Sequence, residues 1–233
     1  MKIFCISDIH GRYNDLRQTI DFLNSREDIE VAVFCGDISA SHDYSTVMEL
    51  IKIQEEDYLC FKTMISKIKN KKVYYILGNH DLFLVDKDDM NYLPNALSAN
   101  IENTFIPFEI LDIQLYGSNR EGNELDIKKA IDEIYDINKG KIIVAHQPPY
   151  MCLDKGTNGH YYGSTSIKNM ILDKGPSIFL CGHVHEDYGV KKLGNTLVVN
   201  CACDNFINRG MIVDTTTLEC KKITLKIVTR CIT

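Results

Sequence analysis

The sequence lacks the features that would place the chain in a membrane or outside the cell. No apolar run approaches the ~20 residues that a membrane-spanning helix needs, and the first eight residues, Met1–Asp8, turn polar too early for a signal peptide. Proline and glycine are sparse, at 5 and 14 of 233 residues, and no linker, repeat or low-complexity tract interrupts the chain. These absences predict a cytoplasmic globular protein with one domain over residues 1–233.

The sequence also lacks an excess of basic residues. Its 26 Lys and Arg residues are outnumbered by 32 Asp and Glu residues, which gives a net charge of −6 at pH 7. Extended nucleic acids and anionic membrane surfaces are bound by basic faces, so we expect neither as a partner. A small phosphate ester is compatible with this charge, because bound metal ions reverse the sign of the local potential.

The nine cysteines contain no Cys-x-x-Cys pair. Cys5, Cys35 and Cys181 lie inside apolar, strand-like runs, where a thiol is typical of a small buried side chain. Without paired spacing or an export signal, the cysteines indicate a reducing compartment rather than a disulfide framework.

What the sequence does contain is a set of polar clusters, each directly after a predicted buried strand. The clearest is Gly78-Asn79-His80-Asp81, which follows the apolar run Val73–Leu77. Buried strands seldom end in such residues unless they deliver them to a site, although an Asn-His-Asp turn alone is also typical of a capped loop. Four further strands end in a similar way, with Asp8 and His10, with Asp37, with His146, and with His183 and His185.

The order of strand, polar strand end and helix recurs along the chain and predicts an α/β layer architecture that binds ligands beyond the carboxyl ends of its strands. Apolar spacing predicts helices from about residue 14 and over 46–69, 124–138 and 164–172, antiparallel strands at 105–110 and 113–116, and late hairpins that form a second, more antiparallel sheet. Within the second helix we interpret Glu55-Glu56-Asp57 as a solvated face, and His42 before it as a plain loop histidine.

Five of the seven histidines stand at the ends of predicted strands: His10, His80, His146, His183 and His185. Any one of them is most simply a core or loop histidine, but five of them, together with Asp8, Asp37 and Asn79, indicate a site. Imidazole, carboxylate and amide ligands without cysteine suit Mn²⁺, Fe²⁺ or Zn²⁺. They outnumber the ligands of one ion, so we expect two ions about 3.5–4 Å apart that share one carboxylate.

In order and spacing these clusters resemble the motif series of the calcineurin-like metallophosphoesterases. The motifs are Asp8-x-His10, Gly36-Asp37, Gly78-Asn79-His80-Asp81, His146 and Gly182-His183-Val184-His185, and they span nearly the whole chain. The resemblance implies a central mixed β-sandwich flanked by helices, in agreement with the α/β fold predicted above. It also implies a hydrolase that cleaves phosphate esters with a water activated by a dinuclear metal centre.

The resemblance further implies a role for each site residue. Asp8, His10 and His185 would hold the first metal, Asn79, His146 and His183 would hold the second, and Asp37 would bridge them. His80 would be the catalytic residue beside the substrate phosphate, where it assists departure of the leaving group. Asp81 would either orient His80 or cap its own turn. We expect Mn²⁺ as the divalent ion at both positions, with iron or zinc as alternatives.

A narrower resemblance concerns the substrate. His146-Gln147-Pro148-Pro149, Gly182–Gly189 and Val198–Ala202 are similar to a branch of small phosphodiesterases that act on cyclic nucleotides. We therefore expect a small phosphate diester such as a 2′,3′-cyclic nucleotide, selected by the Tyr-rich loop 150–163 and the surroundings of Asn205. The alternative is a phosphomonoesterase or a protein Ser/Thr phosphatase that uses the same site, and a more remote alternative is a non-catalytic binding scaffold. Ile38-Ser39 stands where protein Ser/Thr phosphatases carry Asp and Arg after the bridging aspartate, which counts against the protein phosphatase. No oligomeric state is predicted.

Overall fold

The computed structural model describes residues 1–40, 42–81, 98–99, 109–113, 124–132 and 141–227. In chain order, the first elements are β1 (Lys2–Ile6), α1 (Tyr13–Asn24), β2 (Val31–Cys35), α2 (Val47–Ile65), β3 (Lys72–Ile76), β4 (Ser98–Ala99), β5 (Glu109–Ile113) and α3 (Glu124–Asp132). They are followed by β6 (Lys141–Ala145), α4 (Thr165–Lys174), β7 (Ile178–Cys181), β8 (Gly189–Leu193), β9 (Thr196–Asn200), β10 (Ile207–Asp214) and β11 (Cys220–Ile227). Within the described ranges, no helix has the length and hydrophobicity to cross a bilayer.

The strands form two mixed sheets with the orders β11-β10-β1-β2-β3 and β4-β5-β6-β7-β9-β8. Each sheet contains parallel strands, β1-β2-β3 on one side of the first and β5-β6-β7-β9 in the centre of the second, and antiparallel strands extend them. The expectation that the late hairpins together form a second, more antiparallel sheet was wrong. The β8–β9 hairpin completes the second sheet and the β10–β11 hairpin completes the first.

The two sheets pack face to face, and helices cover their outer faces. Side chains alternate along a strand, so Ile3 and Cys5 of β1 belong to the same buried cluster as Val144 and Leu180 of the second sheet. Phe4 of β1 joins a separate cluster with α1 and α2, and a third cluster packs β6, β7 and β9 against α3 and α4. The α/β fold predicted from the sequence, a central mixed β-sandwich flanked by helices, is thereby confirmed.

The polar strand ends of both sheets meet at one edge of this sandwich. Ser7, directly after β1, pairs in parallel with Ala202, which follows β9. The Ser7 amide donates to the Cys201 carbonyl at 3.1 Å, and the Gly182 amide after β7 donates to the His146 carbonyl after β6 at 3.0 Å. Backbone bonds of this kind fix the distances between segments that are far apart in sequence.

Most predicted helices and strands are found, and the differences concern the residues at which they begin and end. The helix predicted over 46–69 is α2, which begins after the N-cap Thr46 and ends at Ile65. The part of the predicted 124–138 helix beyond Asp132 lies outside the described residues, as do most of the strands predicted at 105–110 and 113–116. The described part of that region contradicts the predicted break between two strands, because Leu111 and Asp112 lie inside β5.

The interpretation of Glu55-Glu56-Asp57 as a solvated face was wrong for Asp57. Glu55 and Glu56 are exposed, but Asp57 is buried. Its carboxylate accepts hydrogen bonds from the Tyr13 hydroxyl at 2.6 Å and the Ala40 amide at 3.1 Å, and lies 2.7 Å from His42 Nε2. His42 is therefore not a plain loop histidine, because it helps to tie α2 to the loop after β2.

Replacement of Asp57 tests this correction. We expect Asp57→Ala to lower the free energy of unfolding by roughly 1–3 kcal/mol, because the half-buried donors of Tyr13 and Ala40 lose a charged acceptor. Glu56→Ala, one residue away and exposed, is the matched control and should change the free energy by less than about 0.5 kcal/mol. Urea unfolding followed by circular dichroism measures both, and equal values for the two variants would contradict the burial of Asp57.

Candidate metal centre

The strand ends that carry the predicted site residues have an unusual backbone. Asp8, His10, Asp37 and His183 all adopt positive φ angles, of 61°, 46°, 53° and 70°. Residues other than glycine seldom occupy this left-handed region, and such strain persists where surrounding structure enforces it, often at functional sites. The sharp turns aim each side chain away from its strand and into a shared space at the edge of the sandwich.

One group of side chains gathers around Asp8, which is completely buried. His185 Nε2 lies 3.1 Å from Asp8 Oδ1, and His10 Nε2 lies 3.9 Å from the same oxygen. The ligand atoms of these three residues all lie within 4.8 Å of one another. A cation of ordinary size placed among them would reach two imidazole nitrogens and a carboxylate oxygen.

A second group gathers around Asn79. Its Oδ1 atom lies 3.0 Å from His146 Nε2 and 2.9 Å from His183 Nδ1. Asp37 connects this group to the first, because its Oδ2 atom lies 3.3 Å from His146 Nε2 and 3.7 Å from His10 Nε2. The structure thus brings the seven residues predicted as metal ligands to one place, with Asp37 close to both His10 and His146.

The donor atoms of these groups fit metal ions. His146 Nδ1 lies 2.8 Å from the Cys35 carbonyl, so this nitrogen carries the hydrogen and donates it. In the neutral ring, Nε2 then presents a lone pair toward the oxygens of Asp37 and Asn79. Electron pairs that converge in this way are suited to a cation, and fixing of the ring by its other nitrogen is typical of histidine ligands.

Charges at the centre are strongly coupled. Burial alone would lower the pKa of His146, but Asp37, Asp8 and the Cys35 carbonyl together outweigh burial and raise the pKa to about 10. Burial would raise the pKa of Asp37, yet the positive charge of His146 holds it well below the usual range. Burial and the charge of His146 lower the pKa of His183 to about 4. The buried carboxylates therefore favour positive charge at this place in the centre.

His80 occupies a different position from the seven residues of the two groups. Its side chain is exposed, and its ring meets the His10 ring edge-on, with 5.1 Å between the centroids. The backbone is held on both sides, since its amide donates to Asp37 Oδ1 at 2.9 Å and its carbonyl accepts from Gln54 Nε2 at 2.6 Å. His80 thus stands at the mouth of the centre, where a bound molecule would meet it.

The two alternatives for Asp81 are resolved in favour of the turn. Its carboxylate accepts from the amides of Ile38, Ser39 and Gly78 at distances of 2.8 to 3.1 Å. Among the described residues, every hydrogen bond of this carboxylate goes to backbone and none to His80. Burial and the charge of Asp37 raise the pKa of Asp81 to about 6. Asp81 therefore joins the ends of β2 and β3 and does not orient the histidine.

Two glycines of the motifs are required by close approach. A Cβ atom at Gly78 would collide with the Asp37 carboxylate, and one at Gly182 would collide with Ser7 and with the Asp8 carboxylate. Both glycines leave the room in which the two acidic side chains lie. This explains physically why glycine precedes Asn79 and His183 in the sequence.

Sequence reasoning missed three residues that support the centre. Arg12 donates to the Asp8 carbonyl at 2.9 Å, and Arg209 donates to the His185 carbonyl at 2.6 Å. Both arginines also contact Asp204, through its carbonyl and its carboxylate respectively. Gln54 is buried on α2 and holds His80, as described above. Only Gln54 could have been found from the sequence, because it is a polar residue at a core position of a helix. The sequence around Arg12 and Arg209 contains no comparable signal.

Comparison with known proteins adds independent findings. A family model described as calcineurin-like phosphoesterase matches residues 1–187 of the chain. An uncharacterised protein of Methanocaldococcus jannaschii is 31% identical over 218 residues, which cover 86% of this chain and 87% of that protein.

Solved structures share the fold at low identity. A protein of Thermus thermophilus superposes with a TM-score of 0.65 at 14% identity, over 97% of this chain and 99% of that one. A dimetal phosphatase from Danio rerio does so with a TM-score of 0.59 at 10% identity, over 97% and 99% of the two chains. At these identities the likeness shows the common architecture alone.

Proposed function

The chain belongs to the calcineurin-like phosphoesterase family, and on that basis we propose that it hydrolyses small phosphate diesters, such as 2′,3′-cyclic nucleotides, at a two-metal centre. Membership confirms the resemblance inferred from the motifs and implies a hydrolase that acts on phosphate esters. The position of Asp37 carries the proposal, because its carboxylate lies between two separate groups of nitrogen and oxygen donors.

The two groups supply ligands for two ions. Asp8, His10 and His185 would hold the first ion, and Asn79, His146 and His183 would hold the second, with Asp37 shared. Support for this assignment comes from the distances of 2.9 to 3.9 Å between the donor atoms within the groups. Imidazole, carboxylate and amide donors suit Mn²⁺, with iron and zinc as the alternatives.

Two divalent ions, when bound, supply the chemistry of the reaction, since they lower the pKa of water and neutralise the oxygens of a phosphate. The protein supplies position and charge balance. Asp8 and Asp37 are buried and contribute one negative charge each, which leaves a centre with two divalent ions positive overall. An anionic ester is attracted to such a centre in spite of the acidic protein around it.

His80 is proposed to assist the leaving group. Its imidazole lies at the exposed mouth of the centre, outside both donor groups, so it is not among the proposed metal ligands. Hydrogen bonds to Asp37 and Gln54 fix its backbone beside the shared carboxylate. From there the ring can hold a proton near a bound phosphate and transfer it to the departing oxygen.

The preference for a diester rests on the sequence motifs around His146, His183 and Asn200, which resemble the cyclic-nucleotide branch of the family. Ile38 and Ser39 follow Asp37, and they offer none of the charged side chains that protein Ser/Thr phosphatases carry there. A phosphomonoesterase is the alternative that uses the same donors, and direct comparison of monoester with diester turnover separates the two.

Hydrolysis of bis-4-nitrophenyl phosphate tests the activity. We expect turnover with Mn²⁺, its loss after chelation, and its return when Mn²⁺ is added back, because the donor groups require ions to act on a phosphate. 4-Nitrophenyl phosphate, measured in parallel, should be the poorer substrate. Efficient cleavage of the monoester alone would favour the phosphomonoesterase, and failure to cleave either ester with any divalent ion would contradict the proposed activity.

Replacement of His80 tests its role separately from metal binding. His80→Ala should bind as much Mn²⁺ as the wild type but show a kcat about 10²–10⁴-fold lower, the usual contribution of a general acid. His183→Ala should instead lose bound Mn²⁺, and His42→Ala, a histidine outside the centre, should retain both properties. Metal content by atomic emission and steady-state kinetics provide the two measurements. Loss of Mn²⁺ from His80→Ala would assign His80 to the ligands.

A further inference from the structure

A cleft of about 550 Å³ opens directly beside the candidate metal centre. It shares Asn79, His183 and His185 with the centre, and its other walls include residues 156–158, Tyr162, Glu186 and residues 204–206. We call this space the side cleft. Its size is that of pockets that hold one small organic molecule. A phosphate held at the centre would therefore place the rest of its ester in or near the side cleft.

The first wall is fixed by contacts within the Tyr-rich loop. A Cβ atom at Gly156 would lie 2.7 Å from the Tyr162 ring, so the ring packs directly on the backbone there. Asn158 Nδ2 donates to the Tyr162 hydroxyl at 2.6 Å, and Gln147 Nε2 donates to the Tyr162 carbonyl at 2.7 Å. Because the hydroxyl accepts from Asn158, its own hydrogen can be donated to a bound molecule.

The opposite wall is fixed by the arginines that support the centre. Arg12 and Arg209 both contact Asp204, and Asp204 Oδ1 in turn accepts from the Phe206 amide at 2.6 Å. The Phe206 side chain nevertheless remains 45% exposed. A rigid backbone that presents an exposed aromatic ring is suited to contact with a flat ligand.

Charge in the side cleft is of one sign. Its acidic lining residues are Glu186 and Asp204, and of the described residues that line it none is Lys or Arg. Arg209 Nη1 lies 3.8 Å from the Asp204 carboxylate and offsets that charge. Glu186 is exposed, directly after His185. A second phosphate on the ester would therefore meet a negative side chain rather than a positive one.

We infer that the side cleft receives the organic part of the substrate, that this part is a flat, uncharged, hydrogen-bonding group such as a nucleoside, and that Glu186 excludes esters with a second phosphate. Phe206 and Tyr162 supply aromatic surface, and Thr157, Asn158 and Asn205 supply polar groups for the sugar and the base edges. This inference rests on the proposed function, because it requires that a phosphate be bound at the metal centre.

A pair of substrates that differ by one phosphate tests the role of Glu186. We expect kcat/KM for adenosine 2′,3′-cyclic phosphate to exceed that for its 5′-phosphorylated form by about tenfold, the effect of one repulsive charge pair in a partly solvated cleft. Glu186→Lys should remove or reverse this preference. Glu27→Lys makes the same change of net charge at an exposed position outside the cleft and should leave the preference unchanged. Equal kcat/KM values in the wild type, or an unchanged ratio in Glu186→Lys, would overturn the inference.

Replacement of Phe206 tests the aromatic contact. Phe206→Ala should raise KM for adenosine 2′,3′-cyclic phosphate about tenfold with little change in kcat, because the loss of stacking on a base weakens binding by that order. Tyr44 is similarly exposed, at 47% against 45% for Phe206, and does not line the cleft, so Tyr44→Ala is the matched control. A KM that is unaffected in Phe206→Ala would contradict a base-binding role for this wall.

Different results would overturn the proposed function and the assignment of the side cleft. If bis-4-nitrophenyl phosphate is hydrolysed but neither adenosine nucleotide is, the proposed function stands and the nucleoside assignment of the side cleft is overturned. If bis-4-nitrophenyl phosphate is not hydrolysed with any divalent ion, the proposed function itself is overturned, and the inference falls with it.

Discussion

The arrangement of the site depends on two carboxylates that are buried at the ends of parallel strands. Asp8 and Asp37 lie at adjacent strand ends with almost no exposure to solvent, and a buried negative charge is costly unless a positive charge or hydrogen bonds compensate it. The structure compensates them with imidazoles, since His185 contacts Asp8 and His146 contacts Asp37. The imidazoles come from distant parts of the sequence. They are brought to the carboxylates by the strained turns, the tightly packed glycines and the pairing between the sheets.

The same arrangement explains why the site is poised for cations. The carboxylates of Asp37 and Asp8 raise the pKa of His146, which shows that the centre favours positive charge. Two divalent ions would balance the carboxylates and leave excess positive charge for a phosphate. Support extends outward from the centre through Gln54, Arg12 and Arg209, which hold backbone groups of His80, Asp8 and His185. The two arginines also hold the Asp204–Phe206 segment, so they link the metal centre to the side cleft.

The sequence contained enough to predict the architecture, and the structure places the predicted site residues close together, but few of the contacts that support them could be predicted. Polar residues after apolar runs could be recognised because strands of a parallel sheet deliver their carboxyl ends to one edge. Whether a polar residue on a helix faces solvent or another segment depends on tertiary packing, and Asp57 was misjudged for that reason. Arg12 contacts Asp204 although the two residues are 192 positions apart in the sequence. Arg209 contacts Asp204 across the turn between them. No local sequence pattern encodes either contact.

The two-ion arrangement around Asp37 is tested most directly by crystals of the protein grown with Mn²⁺ and measured near the manganese absorption edge. An anomalous difference map should show two peaks about 3.5–4 Å apart, one beside Asp8, His10 and His185 and the other beside Asn79, His146 and His183, with the Asp37 carboxylate between them. A single peak, or peaks that do not contact Asp37, would contradict a dinuclear centre in this protein.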